Sequence, residues 1–127
     1  MSTRSAIIAK TENGYAGIYC HFDGYESGVG KTLLAHYRDP QKVAELIELG
    51  DISSLGERVS PIGAHSYDSP EKGTTVAYGR DRGEETEVFL AESQIEVEKY
   101  FEGAHDGYVY VFDGSLWKLN GSEFGSK

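Results

Sequence analysis

The chain predicts an α+β fold in a single domain over residues 1–120, an antiparallel sheet of about five or six strands with about three helices on one face. Three observations carry this. Two short turn signals, Asn13-Gly14 and Asp113-Gly114, each sit between runs of β-prone residues. Apolar residues recur at helical spacing on both sides of Asp39-Pro40. The chain has 127 residues, enough for one core and too few for two.

Taken in order, Ser5–Lys10 and Tyr15–Cys20 flank the first turn and predict strands. Val29, Leu33, Leu34 and Tyr37 form one apolar helical face over 28–37. Asp39 then offers an N-cap and Pro40 a first-turn proline, with Val43, Leu46 and Ile47 continuing a second helix that Gly50 ends. Residues 51–72 hold two prolines and no period, so they predict a loop, with a helical turn at Ser53–Leu55. Thr74–Gly79 and Glu87–Ala91 predict two strands paired across the polar turn Arg80–Glu85. Ser93-Gln-Ile-Glu96 is a capping box opening a third helix that packs through Val97, Tyr100 and Phe101. Tyr108–Phe112 and Ser115–Leu119 predict the final hairpin. Gly121–Lys127 resembles a vector-derived tail, since Gly-Ser and Glu-Phe are common translations of cloning sites.

Composition excludes several function classes. The net charge of −9 opposes binding of nucleic acid through its phosphates, which needs clustered Lys and Arg. A single cysteine, Cys20, leaves no internal disulfide and no cysteine-built zinc site, and predicts buried packing. No apolar run reaches the length of a membrane span, so a cytoplasmic protein without a membrane partner is expected. Between Glu84 and Glu102 stand seven Glu and one Lys. That balance is either a solvated face or an acidic surface that engages a basic partner.

Gly24–Thr32, GYESGVGKT, imitates a phosphate-binding loop, but the required glycine five residues before Gly30 is Tyr25. Asp23 and Glu26 would also place negative charge beside a phosphate, so nucleotide binding is rejected and no cofactor is expected. Two other stretches are candidates for chemistry. His21-Phe-Asp-Gly-Tyr25 places His21 and Asp23 where the second strand ends, as acid and base or, with His36, as metal ligands. The alternative is that they fix the turn through backbone hydrogen bonds. Tyr78–Glu84 carries Arg80, Asp81, Arg82 and Glu84, a set that either displays a guanidinium fork to an anion or pairs with itself. No complete catalytic constellation is spelled.

The stretches MSTRSAI, YCHFDGYESGVGKTLLAHYRDPQKVAELIELGDISSLG and YGRDRGE resemble a family of small proteins encoded by phages, prophages and plasmids. Members begin with a similar Ser-Thr-Arg-Ser, carry a His-Trp-Asp-Gly-Tyr turn and share the Leu-Gly-Asp end of the second helix; here Phe22 stands where Trp is usual. The resemblance covers Met1 to Glu84 and implies a mobile-element protein working inside a bacterial host. It supplies no catalytic residues.

Two expectations follow for function. One is a non-enzymatic protein that binds a host or defence component. The other is a small enzyme or ligand-binding protein whose His21, Asp23, Tyr25 and Arg80–Glu84 meet in one pocket. A separate expectation concerns Tyr108, Tyr110 and Phe112, which share one strand face. With helices on only one side of the sheet, part of this row would stay exposed and place Tyr108 or Tyr110 in a partner or homodimer contact.

Overall fold

The computed structural model describes residues 3–84, 86, 88–103, 106–114, 116–120 and 122–123. It has an α+β architecture, as expected, but the sheet is mixed. Strands β1 (Ser5–Thr11) and β2 (Gly14–Cys20) form the predicted hairpin, Ser5 facing Cys20 and Thr11 facing Gly14. A π-helical turn, Glu26–Gly30, runs into α1 (Lys31–His36), and α2 (Pro40–Glu48) follows. The remaining elements are β3 (Ile52–Ser54), β4 (Val76–Ala77), α3 (Tyr78–Arg82), β5 (Phe89–Ala91), α4 (Gln94–Tyr100), β6 (Tyr108–Phe112), β7 (Trp117–Leu119) and β8 (Ser122–Glu123). The sheet order is β4-β3-β2-β1-β6-β7-β8, with β5 also paired to β2.

Local signals explain the helix ends. The Asp39 carboxylate accepts the Gln41 amide at 2.9 Å, the N-cap that the sequence predicts. Gly50 has φ +77°, which a left-handed terminator needs. Ser93 Oγ accepts the Glu96 amide at 3.3 Å and donates to the Glu96 carboxylate at 3.1 Å, so the capping pair forms.

Four expectations are corrected. First, β1 and β6 are parallel, as are β2 and β3. The chain between β1 and β6 is long enough for a crossover, which no local turn signal reveals. Second, β5 pairs with β2 and not with the 74–79 segment. Third, Ser53–Leu55 is not a helical turn; Ile52–Ser54 is a strand. Fourth, the predicted strand and turn over 74–85 shorten to β4 and the helix α3, closed by Gly83 at φ +76°. Within the expected tail, Ser122–Glu123 pairs with β7 as β8; residues 121 and 124–127 lie outside the described ones.

Helices cover both faces of the sheet. Ile7, Ile18, Tyr110 and Phe112 pack with Leu33, Tyr37, Leu46 and Ile47 of the α1–α2 side. Ala6, Ile8, Val109 and Val111, of opposite strand parity, pack with Val97 and Phe101 of α4. Gly17 makes this second layer close, because a Cβ there would lie 2.7 Å from Val97 Cγ1 and 2.8 Å from Phe101 Cε2. The aromatic row of β6 is therefore core. Tyr110 is 0% exposed and donates its hydroxyl to the Gly24 carbonyl at 2.7 Å, while Tyr108 is partly buried against the same cluster. The expected contact through Tyr110 is thereby overturned. The third helix does not join the other two but seals the opposite side.

The outer edge of β2 is shared, its first half bonded to β5 and its end to β3. At Tyr19, between those partners, the Asp51 carboxylate accepts the amide at 2.9 Å. A side chain thus satisfies a backbone donor where the ladder changes strands. Burial raises the Asp51 pKa against the pull of that hydrogen bond.

Candidate functional site

The stretch His21–Tyr25 is spent on shape. Asp23 adopts φ +57°, and its carbonyl accepts the Val29 amide at 2.8 Å. Gly24 is buried so close to the first strand that a Cβ would lie 2.8 Å from Ser5 Cβ and 2.9 Å from the Arg4 carbonyl. Its own amide donates to the Thr3 carbonyl at 2.8 Å. Tyr25 hangs on the same turn, donating to Asp23 Oδ1 at 2.9 Å, a bond that raises its pKa. His21 Nδ1 lies 2.6 Å from the Tyr19 hydroxyl, and the ring meets Phe22 edge-on at 4.5 Å. His36 stands apart on α1, 3.6 Å from the Glu57 carboxylate. Among the described residues no group of three or more His, Cys, Asp or Glu side chains gathers to hold a metal. His21, Asp23 and His36 therefore do not form a ligand set. The Gly-Lys-Thr loop is settled by the same geometry: the Gly28 and Gly30 amides go to the Tyr25 carbonyl and the Val29 amide to Asp23. These donors are not turned toward a phosphate.

The Arg80–Glu84 stretch is an internal clamp. Arg80 donates to the Val59 carbonyl at 2.5 Å, the Thr75 carbonyl at 2.6 Å and Asp81 at 2.9 and 3.0 Å. Asp81 also accepts the Ala77 amide at 2.8 Å and lies 3.0 Å from His65 Nε2, with side chains 5% and 2% exposed. Burial pushes the Asp81 carboxyl up, and the bonds from Arg80 and Ala77, with His65 close by, outweigh it, holding it at about 2. His65 Nδ1 accepts the Glu71 amide at 3.0 Å, which places the ring proton on Nε2 facing Asp81. With one nitrogen taken by a backbone donor, this His–Asp pair fastens a loop and has no free base to offer a substrate.

Glu71 is the hub of that loop. Its carboxylate accepts from the Thr74 hydroxyl at 2.6 Å and from the Ile62 and Gly63 amides at 2.9 and 2.6 Å, which hold it at about 2. Outside the clamp, Arg82 pairs with Glu84 at 3.0 Å and lies 5.0 Å from the Tyr67 ring. No hydrogen bond, ion pair or ring contact among the described residues joins the Arg80–Glu84 stretch to His21, Asp23 or Tyr25. Arg80–Glu84 pairs with itself, one of its two alternatives, whereas the His21 and Asp23 side chains bond the Tyr19 and Tyr25 hydroxyls and not the backbone groups expected of them. Sequence reading missed His65 and Glu71, whose partners lie across an aperiodic loop that offers no spacing to read, and Asp51, whose partner Tyr19 lies on the far side of two helices.

The outer side of α4 is also turned to solvent. Ile95 is 69% and Tyr100 59% exposed, and the same stretch of chain carries Glu92, Glu96, Glu98, Lys99 and Glu102. Tyr100 is not loose. Its ring stacks on Phe89 at 3.9 Å and 10°, and Phe101 meets it edge-on at 5.0 Å. Glu98 is held by Gln94 at 2.7 Å. Of the acidic segment noted in the sequence, Glu96 and Glu98 stand on α4 and Glu92 and Glu102 flank it, while residues 85 and 87 lie outside the described ones.

Cys20 is fully buried, as expected, and burial pushes its thiol up to about 12. No described helix is long and apolar enough to cross a membrane. Comparison with protein-family models, curated proteins and solved structures returns no match.

Proposed function

We propose that this chain is a non-enzymatic binding protein that engages a basic protein surface through the outer side of α4. The observation that supports it is the exposure of two apolar side chains, Ile95 and Tyr100, on a short helix that also carries Glu96 and Glu98. Such a patch suits a partner with an apolar socket ringed by Lys and Arg. The anchors bury area, and the charges set orientation and association rate. Tyr100 is held in place by Phe89 before any partner arrives, which lowers the ordering cost of binding. The resemblance to proteins of mobile elements makes a component of the bacterial host, including its defences, the natural partner. The residues first considered for catalysis are occupied in holding turns and loops, which favours binding over turnover.

The test is affinity capture from lysate of a bacterial host, followed by calorimetry with each purified partner. Ile95→Glu and Tyr100→Ala should each weaken binding at least tenfold. Glu92→Lys with Glu96→Lys should abolish its salt dependence. Partners bound with equal affinity by wild type and all three variants would sink the proposal.

A further inference from the structure

The opposite side of the molecule carries a cleft of about 640 Å³ between α2 and the end of the sheet near the β1–β2 turn. Two sheet positions create the space. On the face beneath α1 and α2, β1 and β2 carry Ile7 and Ile18, but their next positions on that face are Ala9 and Ala16, which pair directly across the strands. Small residues at neighbouring points leave the floor low, with Phe112 beside them. Along α2, Gln41, Ala44 and Glu48 recur at helical spacing and form one wall. Leu90, 70% exposed, stands on the other.

We infer that this cleft binds a single-chain aliphatic amine, its chain on the alanine floor and its ammonium at the mouth. The volume falls within the roughly 300–1,000 Å³ of small-molecule sites, which are mostly apolar with few polar groups. The charge at the mouth selects the head group. Two carboxylates, Glu12 and Glu48, line it against one ammonium, Lys10. A chain of net charge −9 adds to the preference for a cation. None of these residues belongs to the α4 surface, so this site and the protein-binding reading stand or fall separately.

The probe is the uncharged dye N-phenyl-1-naphthylamine, whose emission rises in an apolar site. Dodecylamine and laurate compete against it below their aggregation concentrations at pH 7. Dodecylamine should displace the dye at a concentration at least tenfold lower than laurate. Glu12→Lys with Glu48→Lys should reverse that order. Ala44→Phe should remove dye binding by filling the cleft; Ala44 is exposed on a helix, so the fold should persist, as circular dichroism would verify. Absence of dye enhancement in wild type would overturn the inference, as would equal displacement by the two competitors or unchanged binding in Ala44→Phe. Displacement by a basic peptide with a leucine anchor, but not by dodecylamine, would also overturn it and make the cleft a protein-docking groove.

Discussion

Replacing Asp81 by Asn should remove the charge that fastens the 55–75 loop to α3, and the loss should fade in acid. The carboxylate is 5% exposed and lies among Arg80, the Ala77 amide and His65. Its pKa is held at about 2 against 3.8 for a free carboxyl, so the folded state binds its proton more weakly than the unfolded one. A depressed pKa gives stability that is complete above the unfolded value and is lost as pH falls through the folded one. At about 1.4 kcal/mol per pKa unit, the ionised group contributes about 2.4 kcal/mol at neutral pH. About 1.3 kcal/mol of this should remain at pH 3 and ~0.4 kcal/mol at pH 2. Asn keeps an acceptor for Ala77, and Arg80 keeps the Val59 and Thr75 carbonyls, so the variant should fold. Urea unfolding of both chains from pH 7 to pH 2 measures the gap. Glu71 titrates over the same range in both and cancels in the difference. A gap that stays constant down to pH 2, or an Asn variant as stable as wild type at pH 7, would refute the reasoning.

Gly17→Ala should destabilise by about 1–3 kcal/mol through overpacking, because steric conflict with Val97 and Phe101 exceeds the small gain from a less flexible unfolded chain. Val97→Ala in the same chain should recover part of the loss, and a double-mutant cycle without coupling would contradict this. Tyr110→Phe should cost about 1–3 kcal/mol in thermal or urea unfolding, since the buried Gly24 carbonyl loses its donor. Ile95→Glu, whose side chain is 69% exposed, should leave stability within about 0.5 kcal/mol, so that its effect on capture reports binding alone.

Signals that act over a few residues were legible in the sequence. The Asp39 cap, the Gly50 terminator, the Ser93–Glu96 pair and both hairpins need only neighbours along the chain, and all appear where the residues indicate. The acidic run was visible as composition, and the failed spacing of the Gly-Lys-Thr loop was enough to reject a phosphate site. Everything that joins distant segments was decided by tertiary packing. The parallel pairing of β1 with β6 spans the whole chain, and nothing in either strand names its neighbour. Strand parity separated Tyr110 and Phe112 from Val109 and Val111, but only the return of α4 over Gly17 determined that both sets are buried. The loop Glu71 and the pair His65–Asp81 have no period, because side-chain hydrogen bonds across a coil impose none. The alanines at 9 and 16 were ordinary strand residues until α2 lay across them, when their missing volume became a cleft.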